Sequence, residues 1–141
     1  NMYKLQKVQN AAARLISGKR KRDNISSVIK DLHWLRIESR VIFKMLLFVY
    51  KCIRGLCTAN LTQKLKYKKY NCRLGDYLML ETRKVKTKYG RRTFEYAECR
   101  LWNALPLDVR MEEKIENFKK QIKTLLFKDT EGFKRKAFLY D

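Results

Sequence analysis

Two groups of cations are the residues most able to do chemistry in this chain. Lys19, Arg20, Lys21 and Arg22 form an unbroken basic run. Arg83, Lys84, Lys86, Lys88, Arg91 and Arg92 form a second, more open group. Around the second group Lys66, Lys68, Lys69 and Arg73 are interleaved with Tyr67, Tyr70, Tyr77 and Tyr89. Ammonium and guanidinium groups neutralise phosphates, and phenol rings offer flat faces to bases. The mixture suits single-stranded or duplex nucleic acid, RNA or DNA. A solvated loop is the plainer reading of the same residues. The residues of the two groups are the candidate phosphate contacts.

Catalytic chemistry is harder to find. Metal-dependent phosphoryl or nucleotidyl transfer holds two ions about 4 Å apart between neighbouring carboxylates. Asp23, Asp31, Asp76, Asp108, Asp129 and Asp141 are all isolated, and no Gly-rich phosphate loop is present. His33 is the sole histidine, so it alone could serve a nucleophilic triad. Its nearest acid is Asp31, and it reads as structural or as a backbone hydrogen-bond partner. Cys52, Cys57, Cys72 and Cys99 lack the compact pairs that zinc ligation uses, and they read as reduced thiols. No catalysis, cofactor or metal is therefore expected of this chain alone.

The charge is large and uneven. The formal net charge is +20 over 141 residues. Residues 1–22 hold seven cations and no acid, residues 64–92 hold a surplus of nine, and residues 93–141 a surplus of one. So much like charge on a folded body opposes folding by self-repulsion, and a polyanionic partner is the usual reason to keep it. Nucleic acid comes first among such partners and an anionic membrane surface second. No secretory signal is read at the start, and an intracellular site, nucleus or cytoplasm, is expected. The chain opens on Asn1 rather than Met, as a piece of something longer would.

The elements that must position these groups are helical. Ile37–Leu56 is apolar around most of its circumference, with Arg40, Lys44, Lys51 and Arg54 on one stripe interrupted by Leu47. Gly55 can end it in a left-handed turn. Its apolar runs are far shorter than the ~20 residues of a membrane span, and no membrane partner is expected. Leu5, Val8, Ala12, Leu15 and Ile16 predict a helix over about 3–17 with an apolar face, Lys4, Lys7 and Arg14 on its flank, and Gly18 closing it. Asn24 or Ser26 can cap a short helix through Leu32, and Trp34 reads as a packing wedge. Thr58 can cap another through about Lys66. Thr93 can cap a third, with Phe94, Ala97, Leu101, Trp102 and Leu105 on its buried face and Pro106 at its stop. Ile115, Phe118, Ile122, Leu125 and Leu126 stripe the last helix, whose acids come early and bases late. Residues 78–89 alternate well enough for one or two short strands.

The expected fold is mainly α. It is a compact bundle of about five helices around a buried central helix, with room for a short β-hairpin near 78–92. The expected domain is 1–128, with a basic insert at 67–92 and a C-terminal tail at 129–141 that docks loosely or frays.

Five stretches in order carry a family resemblance. They are Leu5–Ile16; Asp31–Leu35 with Arg40–Lys44 and Tyr50-Lys51; Gly90–Phe94; Leu101-Trp102-Asn103-Ala104-Leu105-Pro106; and Phe118–Lys120 with Lys123–Phe127. Together they resemble the C-terminal, thumb and post-thumb region of the polymerase polyprotein of non-LTR (LINE-type, jockey-like) retrotransposons. The resemblance covers about residues 3–128. The chain departs from the family pattern at Arg36, where proline is usual, at Cys57-Thr58-Ala59-Asn60-Leu61, where Ala-Pro often precedes Tyr-Leu, and at Arg91, where the family has aspartate. The resemblance implies an RNA-directed DNA polymerase whose catalytic palm lies upstream of this piece. It also implies a nucleic-acid-handling role for the piece itself, beside the other polymerase domains. The alternatives are a helical protein-interaction or scaffold domain, and a decayed transposon fragment without selected function.

Overall fold

The computed structural model describes residues 1–68, 78–91 and 93–138. The protein is mainly α, with eight helices and no strand among the described residues. Its contacts group into two units, 1–42 and 43–141, with the division inside the long apolar helix. No helix among the described residues is long and apolar enough to cross a membrane.

The first unit contains α1 (Met2–Ser17), α2 (Ser26–Asp31) and the opening turns of α3 (Ile37–Ile53). Gly18 closes α1 at φ 65°, as its position suggested. Ala13, Ile25, Val28 and Ile29 form a small core, with Leu32 and Trp34 packed against it, so Trp34 is the wedge expected. The cap of α2 differs from both candidates. Ile25 holds the N-cap position, while the Asn24 side chain accepts a bond from the Ser26 N–H one step earlier, at 2.9 Å. His33 stands at φ 53°. Its N–H donates to the Lys30 carbonyl (2.8 Å) and that of Trp34 to Ile29 (2.9 Å). This is the left-handed helix stop that glycine usually provides. The ring Nδ1 lies 3.2 Å from the same Lys30 carbonyl, so the sole histidine is spent on ending a helix.

Helix α1 does not bury its apolar face. Leu5, Val8, Leu15 and Ile16 are exposed, and only Ala13 is buried. The inward side carries amides instead: Gln9 Nε2 donates to the Leu35 carbonyl (2.8 Å), and Gln6 Oε1 accepts from the Ile37 N–H (3.0 Å). A small unit of 42 residues has too little apolar interior to receive that stripe.

The second unit contains the rest of α3, then α4 (Ala59–Thr62), α5 (Lys88–Arg91), α6 (Phe94–Asn103), α7 (Leu107–Met111) and α8 (Ile115–Phe138). Its interior is built on rings. Tyr50 stacks on Phe118 with centroids 4.2 Å apart, and Trp102 lies 5.9 Å from the same Phe118. The Tyr50 hydroxyl donates to the Glu113 carbonyl. Leu46, Val49, Leu80, Leu101, Leu105 and Ile122 are buried in the same unit. The cationic stripe of α3 is exposed as its spacing required, and Gly55 ends the helix at φ 70°. There the Leu56 N–H reaches back to the Lys51 carbonyl at 2.8 Å.

Two further differences concern helix ends. Thr58 and Thr93 do hold the N-cap positions of α4 and α6, but neither side chain caps; the Thr93 hydroxyl donates to the Gly90 carbonyl at 2.7 Å. Asp129, where the tail was expected to begin, is a kink inside α8 (φ −153°, ψ 81°). Its carboxylate accepts from the Gly132 N–H (2.8 Å) and so caps the helical segment that follows. Phe133 and Ala137 of that segment are buried, and Arg100 Nε donates to the Ala137 carbonyl at 2.7 Å. Leu139, Tyr140 and Asp141 lie outside the described residues.

Candidate nucleic-acid interface

Arg83, Lys84 and Lys86 of the second cationic group sit on backbone that is neither helix nor strand, whereas Lys88 and Arg91 belong to α5. Residues 79–81 pair antiparallel with 66–68: the Lys68 N–H donates to Met79 (2.9 Å) and the Glu81 N–H to Lys66 (2.7 Å). In that arrangement the N–H and C=O of Leu80 point to the opposite side. There Asn103 takes both: the Leu80 N–H donates to Asn103 Oδ1 and Asn103 Nδ2 donates to the Leu80 carbonyl, each at 2.8 Å. One amide side chain thus does the work of a neighbouring strand. Trp102 adds a third fastening, its indole N–H donating to the Leu78 carbonyl at 2.8 Å.

This arrangement explains why the hairpin near 78–92 does not form among the described residues. The edge that residues 85–89 would have used is already filled by Asn103. Lys88–Arg91 turn instead into α5, where the Thr87 hydroxyl accepts from the Gly90 N–H at 3.1 Å.

The candidate side chains fall out as follows. Lys84, Lys86 and Lys88 are exposed, and none forms an ion pair among the described residues. Arg83 is exposed too, yet its Nη1 lies 3.3 Å from Glu95, which also meets Lys64 at 3.6 Å. One carboxylate therefore draws on two cations. A surface pair of this kind contributes only about 0–1 kcal/mol and leaves Arg83 able to swing to another anion. Arg91 is exposed, and Arg92 lies outside the described residues, as do Lys69, Tyr70, Arg73 and Tyr77. A cleft of about 770 Å³ lies beside the run, lined by Lys64, Lys66 and Arg83 but also by Glu81 and Glu95. Its mixed charge suits phosphate less well than the outer row of lysines does.

Lys19, Arg20, Lys21 and Arg22 belong to the first unit and are all exposed. They ride on a turn closed by Asp23, whose carboxylate accepts from the Arg20 N–H at 2.8 Å while its own N–H donates to the Arg20 carbonyl. The lone acid of this turn is thus bonded to backbone, not to a guanidinium.

No group of three or more His, Cys, Asp or Glu side chains among the described residues is placed to hold a metal. One acid is nevertheless unusual. Glu98 is fully buried, and neither carboxylate oxygen has a hydrogen-bond partner among the described residues. Burial pushes its pKa up to about 8. Cys52 is pushed up to about 12 by burial, by its hydrogen bond to Cys57 and by the charges of Cys57 and Glu98. Cys99 is pushed up to about 11 by burial, then by Glu98 and Glu95. Thiols held so far up are protonated at neutral pH and make poor nucleophiles.

Sequence reasoning passed over Asn103, Trp102 as an anchor, and Glu98. For Glu98 a signal existed: it lies four residues after Phe94 and four before Trp102, on the face read as buried. For Asn103 none did, because its partners are more than twenty residues away.

No family model matches the chain, and neither a curated protein nor a solved structure matches it.

Proposed function

We propose that this chain is a non-catalytic nucleic-acid-binding module from the C-terminal region of a non-LTR retrotransposon reverse transcriptase. It contacts template RNA or the primer–template duplex, in nucleus or cytoplasm, while upstream polymerase domains of the same polyprotein supply the chemistry. The observation that carries this reading is the row Lys84, Lys86 and Lys88. These cations stand exposed and unpaired among the described residues, on backbone fastened by neutral groups. The five resembling stretches and the net charge of +20 support it.

The test is a salt-titrated binding assay with RNA, DNA and heteroduplex. Binding weakens with salt, because each phosphate neutralised releases counterions. In K84Q/K86Q/K88Q the slope of log affinity against log salt is expected to flatten by about 2.7 on duplex and about 2.1 on single strands. An unchanged slope removes this segment from the interface. A second reading, a helical protein-interaction domain, is favoured by the exposed apolar face of α1. Its sign would be indifference to RNA together with affinity for an acidic protein.

A further inference from the structure

Helix α1 is mounted inside out. Its amides face inward: Gln6 Nε2 donates to Gln9 Oε1 and to Asn10 Oδ1, both at 2.9 Å, and Gln6 and Gln9 tie the helix to the backbone of Ile37 and Leu35. Its apolar side chains face out. Leu5 is 55% exposed, Val8 68%, Leu15 86% and Ile16 61%. At about 100° per residue these four, with Ala12, share an arc of roughly 100°. At a rise of about 1.5 Å per residue the stripe is roughly 16 Å long. Apolar residues scattered singly over a surface need no explanation, whereas a continuous stripe marks an interaction site.

Two features say what covers it. Leu5, Val8, Ala12 and Leu15 are spaced 3-4-3, the spacing of a seam between two helices. The charge around the seam has one sign. Lys4 borders its start, Lys7 and Arg14 lie farther round, Lys19–Arg22 stand just beyond its end, and residues 1–22 contain no acid. A lipid surface would need the apolar stripe but not the heptad spacing, and it favours cations on both borders. Here one border is taken up by amides bonded to the unit's own backbone.

We propose that α1 is the docking helix for an acidic amphipathic helix of a partner protein. The partner's apolar seam covers Leu5, Val8, Ala12 and Leu15, and its carboxylates meet Lys4 and the field of Lys19–Arg22. This goes beyond the nucleic-acid reading and does not depend on it.

The test uses the full chain and a labelled helical peptide of three heptads, with Leu at the seam positions and Glu at the flanking ones. Two control peptides carry Lys in place of Glu, or Ser in place of Leu. Fluorescence anisotropy at physiological salt is expected to show the Glu peptide bound at least tenfold tighter than either control. L5S/V8S/L15S is expected to weaken it at least tenfold, with helicity and Tm unchanged because these side chains are exposed. Lys4→Glu, which leaves the apolar seam intact, is expected to weaken the Glu peptide and strengthen the Lys peptide. The proposal is overturned if the Ser-seam peptide binds as well as the Leu one, since charge alone would then account for binding. It is also overturned if phosphatidylserine/phosphatidylcholine vesicles bind through Leu5, Val8 and Leu15 while the Glu peptide does not. A self-association abolished by L5S/V8S/L15S would overturn it equally, as the stripe would then belong to a second copy.

Discussion

Glu98 should make the second unit less stable as pH rises through neutrality, and removing its charge should abolish the effect. The carboxyl is fully buried with both oxygens unpartnered among the described residues, and burial pushes its pKa up to about 8 from an ordinary 4.5. In the unfolded chain it loses its proton near the ordinary value. Between the two values the folded state holds a proton that the unfolded state has released, so stability falls as pH rises. The slope is about 1.4 kcal/mol per pH unit, and the whole window would come to about 5 kcal/mol. Water admitted by local opening shortens the window, so a loss of about 2–4 kcal/mol between pH 5 and 8 is expected. The thiols that share this interior, Cys52 and Cys99, stay protonated throughout, because their values stand at about 12 and about 11. Urea unfolding followed by tryptophan fluorescence in a W34F background reads Trp102, which is buried in the same unit and on the same helix as Glu98. Glu98→Gln should flatten the pH profile above pH 5. Glu98→Leu should flatten it and also raise stability at pH 7, since an apolar side chain leaves no buried polar atom unpaired. A wild-type profile level from pH 5 to 8, or a Gln variant that keeps the slope, would refute the reasoning.

Two other substitutions follow from the same geometry. Asn103→Ala removes both bonds to Leu80 and strands its N–H and C=O, so a loss of about 2–4 kcal/mol and faster tryptic cleavage after Arg83 and Lys84 are expected. Nucleic-acid affinity should fall although no charge has changed. His33→Gly relieves the left-handed backbone at φ 53° and should raise the stability of the first unit by about 1 kcal/mol, read as a higher urea midpoint by Trp34 fluorescence in a Trp102→Phe background.

Helices were legible wherever local spacing decides them. Ile37–Ile53 declared itself by one cationic stripe on an apolar cylinder, and Gly18 and Gly55 marked ends that the backbone confirms at φ 65° and 70°. What spacing cannot say is which face looks inward. Leu5, Val8, Leu15 and Ile16 make a clear stripe, but the first unit buries only Ala13 of that helix. The hairpin near 78–92 failed for a related reason. Alternation in 78–89 reports that alternate residues face different surroundings, not that 78–82 and 85–89 pair with each other; residues 79–81 meet 66–68 on one side and, on the other, an amide twenty-three residues from Leu80. The cationic groups were legible as composition, whereas their fastening was not, because it depends on contacts distant in sequence.

How the second group is held bears on why its charge remains outside. A stretch with a surplus of nine cations could have been folded down by acids, each lowering the local repulsion. Among the described residues Glu95 does this for Lys64 and Arg83. The rest of the anchoring is neutral: Asn103 to Leu80, the Trp102 indole to Leu78, and the backbone pairs between 66–68 and 79–81. Neutral anchors position the lysines without cancelling them, so the repulsion between Lys84, Lys86 and Lys88 persists in the folded state. An anion from outside, or salt, relieves it. Added salt should therefore raise the stability of the free protein while weakening its hold on nucleic acid. These opposite responses have one source, and a helical body held together by internal ion pairs would not show the first of them.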